Sequence, residues 1–492
     1  MIQQFPVLVV VAPLVAAPIT LLIRNRRLTH LWAMAVAWFT LFVSANLLHE
    51  VLTTGPISYQ LGGWAPPWGI EYRVDTVNAF VMVIVAMIAS VVIPAMPTRI
   101  RLDLAPERMY LFYTATLLFI AGLMGITVTG DAFNVFVFLE ITSLASYTLI
   151  GLGAGRRAPL AAFSYLVMGT IGGTFVLIGI GLMYQMTGSL NMADLAVLLP
   201  GVQHTRTIMV AFAFITTGVS IKLGVFPLHQ WLPKAYTYAP DLVSALMSAT
   251  ATKVIFYLLV RMIFTVFGAT FVFGVLHLDW LLLPLSLIGM FVASLAAIYQ
   301  TNIKRLLAYS SIAQIGYMTL GLSMVSVAGL TGSLVHLFNH ALMKAGLFMV
   351  VASIFYRLAT HEIADMRGLG RRMPLTFAAW VVGGLSMIGV PGTVGFISKW
   401  YLVLAAIEKG WIGIALLIVL SSLLALVYVW RVIDVAYFQS PPEGQADRIE
   451  APPILLIPTW ILVGATVFFG INTTWTVGVA EAAARQLLGV MP

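Results

Sequence analysis

No cysteine occurs anywhere in the 492 residues, which excludes disulfides, iron–sulfur ligation and thiolate zinc sites. Charge is almost as scarce. Asp, Glu, Lys and Arg together make up 9% of the chain, against about 25% in a soluble globular protein. None of the glycines forms a dinucleotide fingerprint between a strand and a helix, so nothing in the chain carries electrons or binds a redox nucleotide. What is abundant is apolar: 61% of the residues, enough for about fourteen spans of ~20 residues each. The fold class is therefore an all-α polytopic membrane protein. The formal charge of +8 points to basic cytoplasmic loops rather than to nucleic acid.

Apolar stretches fall at 5–23, 29–49, 74–96, 108–129, 131–152, 160–186, 206–226, 239–266, 281–300, 305–325, 328–357, 374–407, 411–438 and 454–473. The first has its charges, Arg24, Arg26 and Arg27, after the apolar run and lacks a small-residue cleavage site. It reads as an uncleaved anchor. Seventeen Lys and Arg fall in alternate loops on one side, from Arg24 through Arg99, Arg156, Lys304 and Arg372 to Arg448. The other side holds four: Arg73, Arg206, Lys409 and Arg485. The positive-inside rule then places both termini outside the cytoplasm, in a cell or inner membrane, and favours an even number of spans. The longest loops, near 50–73, 187–205 and 438–453, leave no room for a soluble domain, and about twenty residues follow the last span. Trp64, Trp68, Trp280, Trp411 and Trp475 sit at span ends, as an interfacial belt would.

Five basic residues remain inside apolar runs: Lys222, Lys253, Arg261, Lys344 and Lys399. Arg261 is close enough to a span end to snorkel. Each lysine would cost about 2.5–3.5 kcal/mol at a helix centre, so lipid-facing placement is excluded. Glu140 lies nine residues after the span-opening Asp131, roughly 13 Å deep. Desolvation disfavours an ammonium and a nearby carboxylate favours it, so opening and closing a Glu–Lys contact loads and unloads a proton. Static ion pairs are the bland alternative. They account for one such lysine more readily than for four.

His336, His340 and Lys344 follow at i, i+4 and i+8 in SLVHLFNHALMKAGLF, which puts them on one helix face. Neutral imidazoles donate and accept, so such a stripe can pass protons through waters. Haem ligation is the weaker rival, because it generally needs histidines on facing helices. Two runs carry breakers beside a lysine. One is TTGVSIKLGVFPLHQWLPKA, with Lys222, Pro227 and His229; the other is GLSMIGVPGTVGFISKWYL, with Pro391 and Lys399. A proline frees a carbonyl that only protein or water can satisfy in a membrane, and paired broken helices mark a transporter's ion path. The embedded charges are mostly nitrogen, the wrong ligands for a hard cation, and no metal or other cofactor is expected. Asp241, beside Pro240, reads as an exposed helix N-cap.

These residues resemble the antiporter-like subunits shared by respiratory complex I, membrane-bound hydrogenases and Mrp-type sodium/proton antiporters. The resemblance is carried by KLGVFPLHQWLPKAYTYAPDLVSALMSATATKVIFYLLVR, NIKRLLAYSSIAQIGYMTLGL, LVHLFNHALMKAGLF and PGTVGFISKW, in that order. It implies fourteen helices, with two inverted five-helix repeats and broken helices seven and twelve. The implied boundaries are 1–107 for three N-terminal helices, 108–266 and 267–438 for the repeats, and 439–492 for a loop and helix fourteen. It also implies a hydrated proton axis on which Glu140 is the fifth-helix glutamate and Lys222 its partner on broken helix seven. Lys253 is the central eighth-helix lysine, His336 and His340 belong to the eleventh-helix stripe with Lys344, and Lys399 lies on broken helix twelve. The runs TGDAFNVFVFLEITSLASYTLIG, GSLNMADLA, ATKVIFYLLVR and EAPPILLIP look most like the D-type member of Mrp antiporters. The implied function is proton translocation beside other hydrophobic subunits, coupled to sodium moving elsewhere. The alternative is the same proton axis inside a complex I-type or hydrogenase-type redox machine. A pure scaffold is disfavoured, since it would gain stability by exchanging its buried charges for apolar groups.

Overall fold

Lipid offers no partner to a backbone N–H or C=O, so an apolar run hides its backbone by coiling into a helix. The computed structural model describes residues 2–441 and 447–490 and is helical nearly throughout. α1 (Phe5–Ile23) turns into α2 (Arg26–Thr54) where the Asn25 side chain accepts from the Arg27 and Leu28 amides. A short antiparallel hairpin, β1 (Ile57–Gln60) and β2 (Glu71–Val74), leads to α3 (Thr76–Val92), which Asp75 and Asn78 open with a reciprocal capping box. Then come α4 (Met96–Ile100), α5 (Met109–Val128), α6 (Ala132–Gly151), α7 (Ala158–Thr187) and α8 (Met192–Val202). The next run is interrupted: α9 (Arg206–Leu223) stops, residues 224–230 are irregular, and α10 (Trp231–Tyr238) resumes. α11 (Asp241–Val260) continues into π-helical turns over Arg261–Val266.

The second half holds α12 (Leu278–Ile298), α13 (Ile303–Ser323), α14 (Val327–Leu358) and the short α15 (Leu369–Arg372). α16 (Pro374–Ile388) and α17 (Val394–Glu408) are parted by a second break, and α18 (Ile412–Ile433), α19 (Pro453–Ile471) and α20 (Thr474–Leu488) complete the chain. Twelve helices among the described residues are long and apolar enough to cross a membrane. α13 has the length without the apolarity, and its Ser310, Gln314 and Thr319 are buried in protein rather than set against lipid. α11 is buried along its whole length and α14 over most of it, whereas α1, α7, α12 and α18 keep broad apolar faces outward. The protein is therefore built around α11 and α14, which pack on each other.

Several short elements fall where the sequence reading placed only loop. The hairpin and α8 occupy the 50–73 and 187–205 connections, and α20 follows the last apolar span. Each is short or amphipathic, so no long apolar run betrays it. Part of the expected 438–453 loop, residues 442–446, lies outside the described residues, as do Met1 and residues 491–492.

Candidate functional site

The first helix break sets the first polar contact. Gly224 takes φ 79°, a left-handed conformation open to glycine, and ends α9. The freed Ile221 carbonyl accepts from the Trp231 indole Nε1 at 2.8 Å, so the break is satisfied without Lys222. The Lys222 Nζ instead lies 2.9 Å from Glu140 Oε1 and donates to Ser143 Oγ at 2.7 Å. Glu140 and Ser143 are three residues apart and share one face of α6. A glycine makes the space: a Cβ at Gly173 of α7 would collide with Glu140 Oε1. Lys222 is buried, while the Glu140 side chain is 29% exposed, on a helix that also presents Phe133, Val137 and Leu144 outward.

Lys253 sits midway along α11, fully buried. Its Nζ donates to the Ser248 carbonyl at 2.5 Å and lies 3.3 Å from Thr252 Oγ1. On α14, which packs against α11, the rings of His336 and His340 stack with centroids 6.0 Å apart. His336 Nδ1 pairs with Ser398 Oγ at 2.8 Å. Its Nε2 and both nitrogens of His340 have no hydrogen-bond partner among the described residues. An unmet buried polar atom costs about 1–3 kcal/mol. Lys344, one turn beyond His340, donates to the Leu307 carbonyl at 2.8 Å and to Ser310 Oγ. At the second break Gly389 takes φ 93°, and the Lys399 Nζ caps the freed carbonyls of Met387 (3.1 Å) and Ile388 (2.7 Å). It also stands 4.8 Å over the Tyr317 ring.

Pro227 and Pro391 both fall within the irregular breaks. His229 stacks on Phe226 with ring centroids 5.3 Å apart, and its Nδ1 is unpartnered among the described residues. Three expectations are corrected. Asp241 is the first residue of α11 with Pro240 as its N-cap, and it is wholly buried rather than exposed. Its carboxylate gathers Arg99 Nε at 2.8 Å, Lys304 Nζ at 2.9 Å and His361 Nε2 at 2.8 Å. Arg99 and Lys304 read as solvated loop charges, yet both are buried in this cluster. Asp241, which Arg99 meets across 142 positions of sequence, is the partner that explains them. Arg261 does not snorkel either: a bidentate pair with Asp75, at 2.7 and 2.8 Å, holds it inside the protein. Among the described residues no cluster of His, Asp or Glu is arranged to hold a metal.

The profile of the family described as "NADH:quinone oxidoreductase/Mrp antiporter, TM" matches residues 129–425. The chain belongs to this family. It is 42% identical over 491 residues to the N subunit of the NADH-quinone oxidoreductase of Desulforudis audaxviator, covering 96% of both chains. It is 32% identical over 433 residues to the D-type chain of the Na(+)/H(+) antiporter of Alkalihalophilus pseudofirmus, covering 87% of this chain and 86% of that one. Its fold matches a chain in the structure of the Mrp complex from Dietzia sp. DQ12-45-1b, with TM-score 0.90 and 23% identity over 99% and 97% of the two chains. The resemblance drawn from the four sequence runs thus holds at the level of the family. The chain is an antiporter-like subunit of a multi-pass membrane type, and its likeness to this N-type relative exceeds that to the D-type one.

Proposed function

We propose that this chain is the proton-translocating subunit of a hetero-oligomeric complex of the cell membrane. Protons move along Glu140, Lys222, Lys253, His336 and His340, Lys344 and Lys399. The observation that carries this reading is Lys222, buried yet bound to the partly exposed Glu140. The proton state of the pair then responds to charge on a neighbouring subunit, because fields between buried sites are poorly screened. Lys253 is the least compensated of the ammonium groups, with one carbonyl and one distant hydroxyl, and serves as the central carrier. In this reading α13 and the α16–α17 pair join the twelve long helices to make fourteen crossings. Residues 108–266 and 267–438 form inverted repeats, and both termini lie outside the cytoplasm. Sodium crosses elsewhere in the complex, which makes the whole a sodium/proton antiporter.

A second reading shares every residue role but drives the protons by electron transfer in partner subunits. The 42% identity to an N subunit of NADH-quinone oxidoreductase favours it. Isolation of the tagged protein in mild detergent, with its companion chains identified and flavin, iron and nickel assayed, separates the two. Small hydrophobic companions without redox groups support the antiporter, and iron–sulfur or nickel companions support the redox machine. In vesicles of the same membranes, Lys253→Met is expected to lower proton transport at least about tenfold at unchanged protein level. Full transport by that variant overturns both readings.

A further inference from the structure

The outer end of α11 carries an arrangement that the row of lysines does not use. Lys253, Tyr257 and Arg261 follow at four-residue spacing on one face, about 6 Å of rise per step. Against the last two lies a cavity of about 400 Å³ lined by Glu71, Asp75, Thr129, Tyr257, Arg261 and Gln486 among others. Exposed Arg73 and Gln486 mark its opening. The β1–β2 hairpin stands at this end, where Tyr59 Oη donates to Gln4 Oε1 beside the start of α1. The end opposite holds the Asp241 cluster. A surface vestibule therefore reaches Tyr257, about one helical turn from the central lysine.

Every group in between has its hydrogen bonds committed. Tyr257 Oη donates to the Thr127 carbonyl at 3.0 Å and accepts from Arg261 Nε at 3.1 Å. The rest of the guanidinium is taken by the two Asp75 oxygens and by Thr265 Oγ1 at 3.2 Å. Its carbon lies 5.2 Å from the Tyr257 ring centre. A relay needs a group that accepts one proton while releasing another, and a guanidinium in a protein never gives its proton up. A fixed cation in a narrow polar passage also repels an incoming proton, a device that pores use for exclusion. Arg261 reaches Tyr257 through Nε and Asp75 through its terminal nitrogens, so Tyr257, one turn from Lys253, meets the positive partner of the pair.

We infer that Arg261, held by Asp75 and seated on Tyr257, is an electrostatic barrier insulating Lys253 from the outer vestibule. Protons on Lys253 are thereby confined to the lateral row. The inference rests on the reading of Lys253 as a proton carrier.

The test uses the whole complex in liposomes, with no driving substrate, a potassium diffusion potential and a trapped pH dye. Arg261→Gln is expected to raise passive proton flux about fivefold or more. The double variant Asp75→Asn/Arg261→Gln leaves no lone buried charge, so it is expected to fold and to leak alike. Arg261→Lys keeps the cation and is expected to stay within about twofold of the unaltered protein. Adding Lys253→Met to the double variant is expected to close the leak. Wild-type flux in both Arg261→Gln proteins overturns the inference, as does an equal leak in Arg261→Lys, which would make packing rather than charge the cause. A leak that survives Lys253→Met runs elsewhere and overturns it too. Lys253→Met alone, measured as driven transport, fails or passes the underlying reading separately from these passive fluxes.

Discussion

At the first helix break an indole caps the freed carbonyl; at the second an ammonium does. Trp231 Nε1 takes the Ile221 carbonyl and leaves Lys222 for Glu140 and Ser143. Across the second break Lys399 itself takes the carbonyls of Met387 and Ile388, with the Tyr317 ring beside it. Backbone dipoles are fixed, whereas a side-chain carboxylate can move. The surroundings of Lys222 are therefore set by another, partly exposed side chain, and those of Lys399 by the local fold. The two breaks look alike as sequence, each a lysine near a proline, and differ in what controls the lysine.

The sharpest way to break this comparison is to remove the controlling carboxylate. Glu140→Gln keeps a hydrogen-bond acceptor for Lys222 but no charge, and is expected to lower transport at least about tenfold at unchanged protein level. The matching substitution at the other break is Lys399→Gln. Its amide can still donate to both carbonyls, so its melting temperature is expected to hold, whereas Lys399→Met strands two acceptors and is expected to lose several degrees. Equal melting temperatures for the two would show that Lys399 does not cap the break.

A smaller effect follows from freeing the first carbonyl. Trp231→Phe keeps a ring to stack on Tyr165, where the centroids stand 3.9 Å apart, but removes the donor to Ile221. The Ile221 carbonyl then keeps only the long 3.2 Å bond from the Gly224 N–H, Lys222 is drawn toward it, and the first break comes to resemble the second. Transport is expected to fall about fivefold, since one lost hydrogen bond is worth about 0.5–1.5 kcal/mol. Unchanged transport would mean that the indole's hydrogen bond has no hold on the lysine. Weaker again is Gly173→Ala, whose Cβ would displace Glu140 Oε1. It is expected to cost about threefold, while Gly181→Ala, which meets nothing within 4 Å, serves as the control.

How much of this was legible in the sequence depends on the range of the interaction. The long spans follow from local apolarity, and the four embedded lysines stand out because nothing near them in the chain accounts for a charge. The side chains that partner them, Ser143, Ser310 and Tyr317, and the Trp231 that frees Lys222 are ordinary residues of apolar helices and carry no signal of their own. Asp241 was misread for the opposite reason. A Pro-Asp pair at a helix start is a strong local pattern, yet the residue's burial is decided by Arg99, Lys304 and His361 on three other segments. The bidentate hold of Asp75 on Arg261 joins positions 186 residues apart, beyond the reach of any local pattern. Local rules found the elements, and the closures between distant elements stayed hidden.

The two ends of α11 offer the smallest and most specific contrast. At the outer end burial would push the Asp75 carboxyl up, but the unshared charge and hydrogen bonds of Arg261 outweigh it and hold it below the usual carboxylate range. At the inner end burial pushes Asp103 above that range. Its partner Arg99 is shared with Asp241, whose own negative charge adds to the rise. The signs differ accordingly. Asp75 contributes stability above the unfolded value of about 3.9, which is lost only as pH falls through its lower folded value. The contribution of Asp103 is present below that unfolded value and is lost as pH rises through its raised folded value. Asp103→Asn is therefore expected to melt slightly higher than the unaltered protein at pH 7, by about 1–2 °C, and to match it near pH 4. Asp75→Asn, which leaves Arg261 buried without its carboxylate, is expected to melt lower at pH 7. A lower melting temperature for Asp103→Asn at pH 7 would show that Arg99 needs both carboxylates, and that the inner end is held as firmly as the outer.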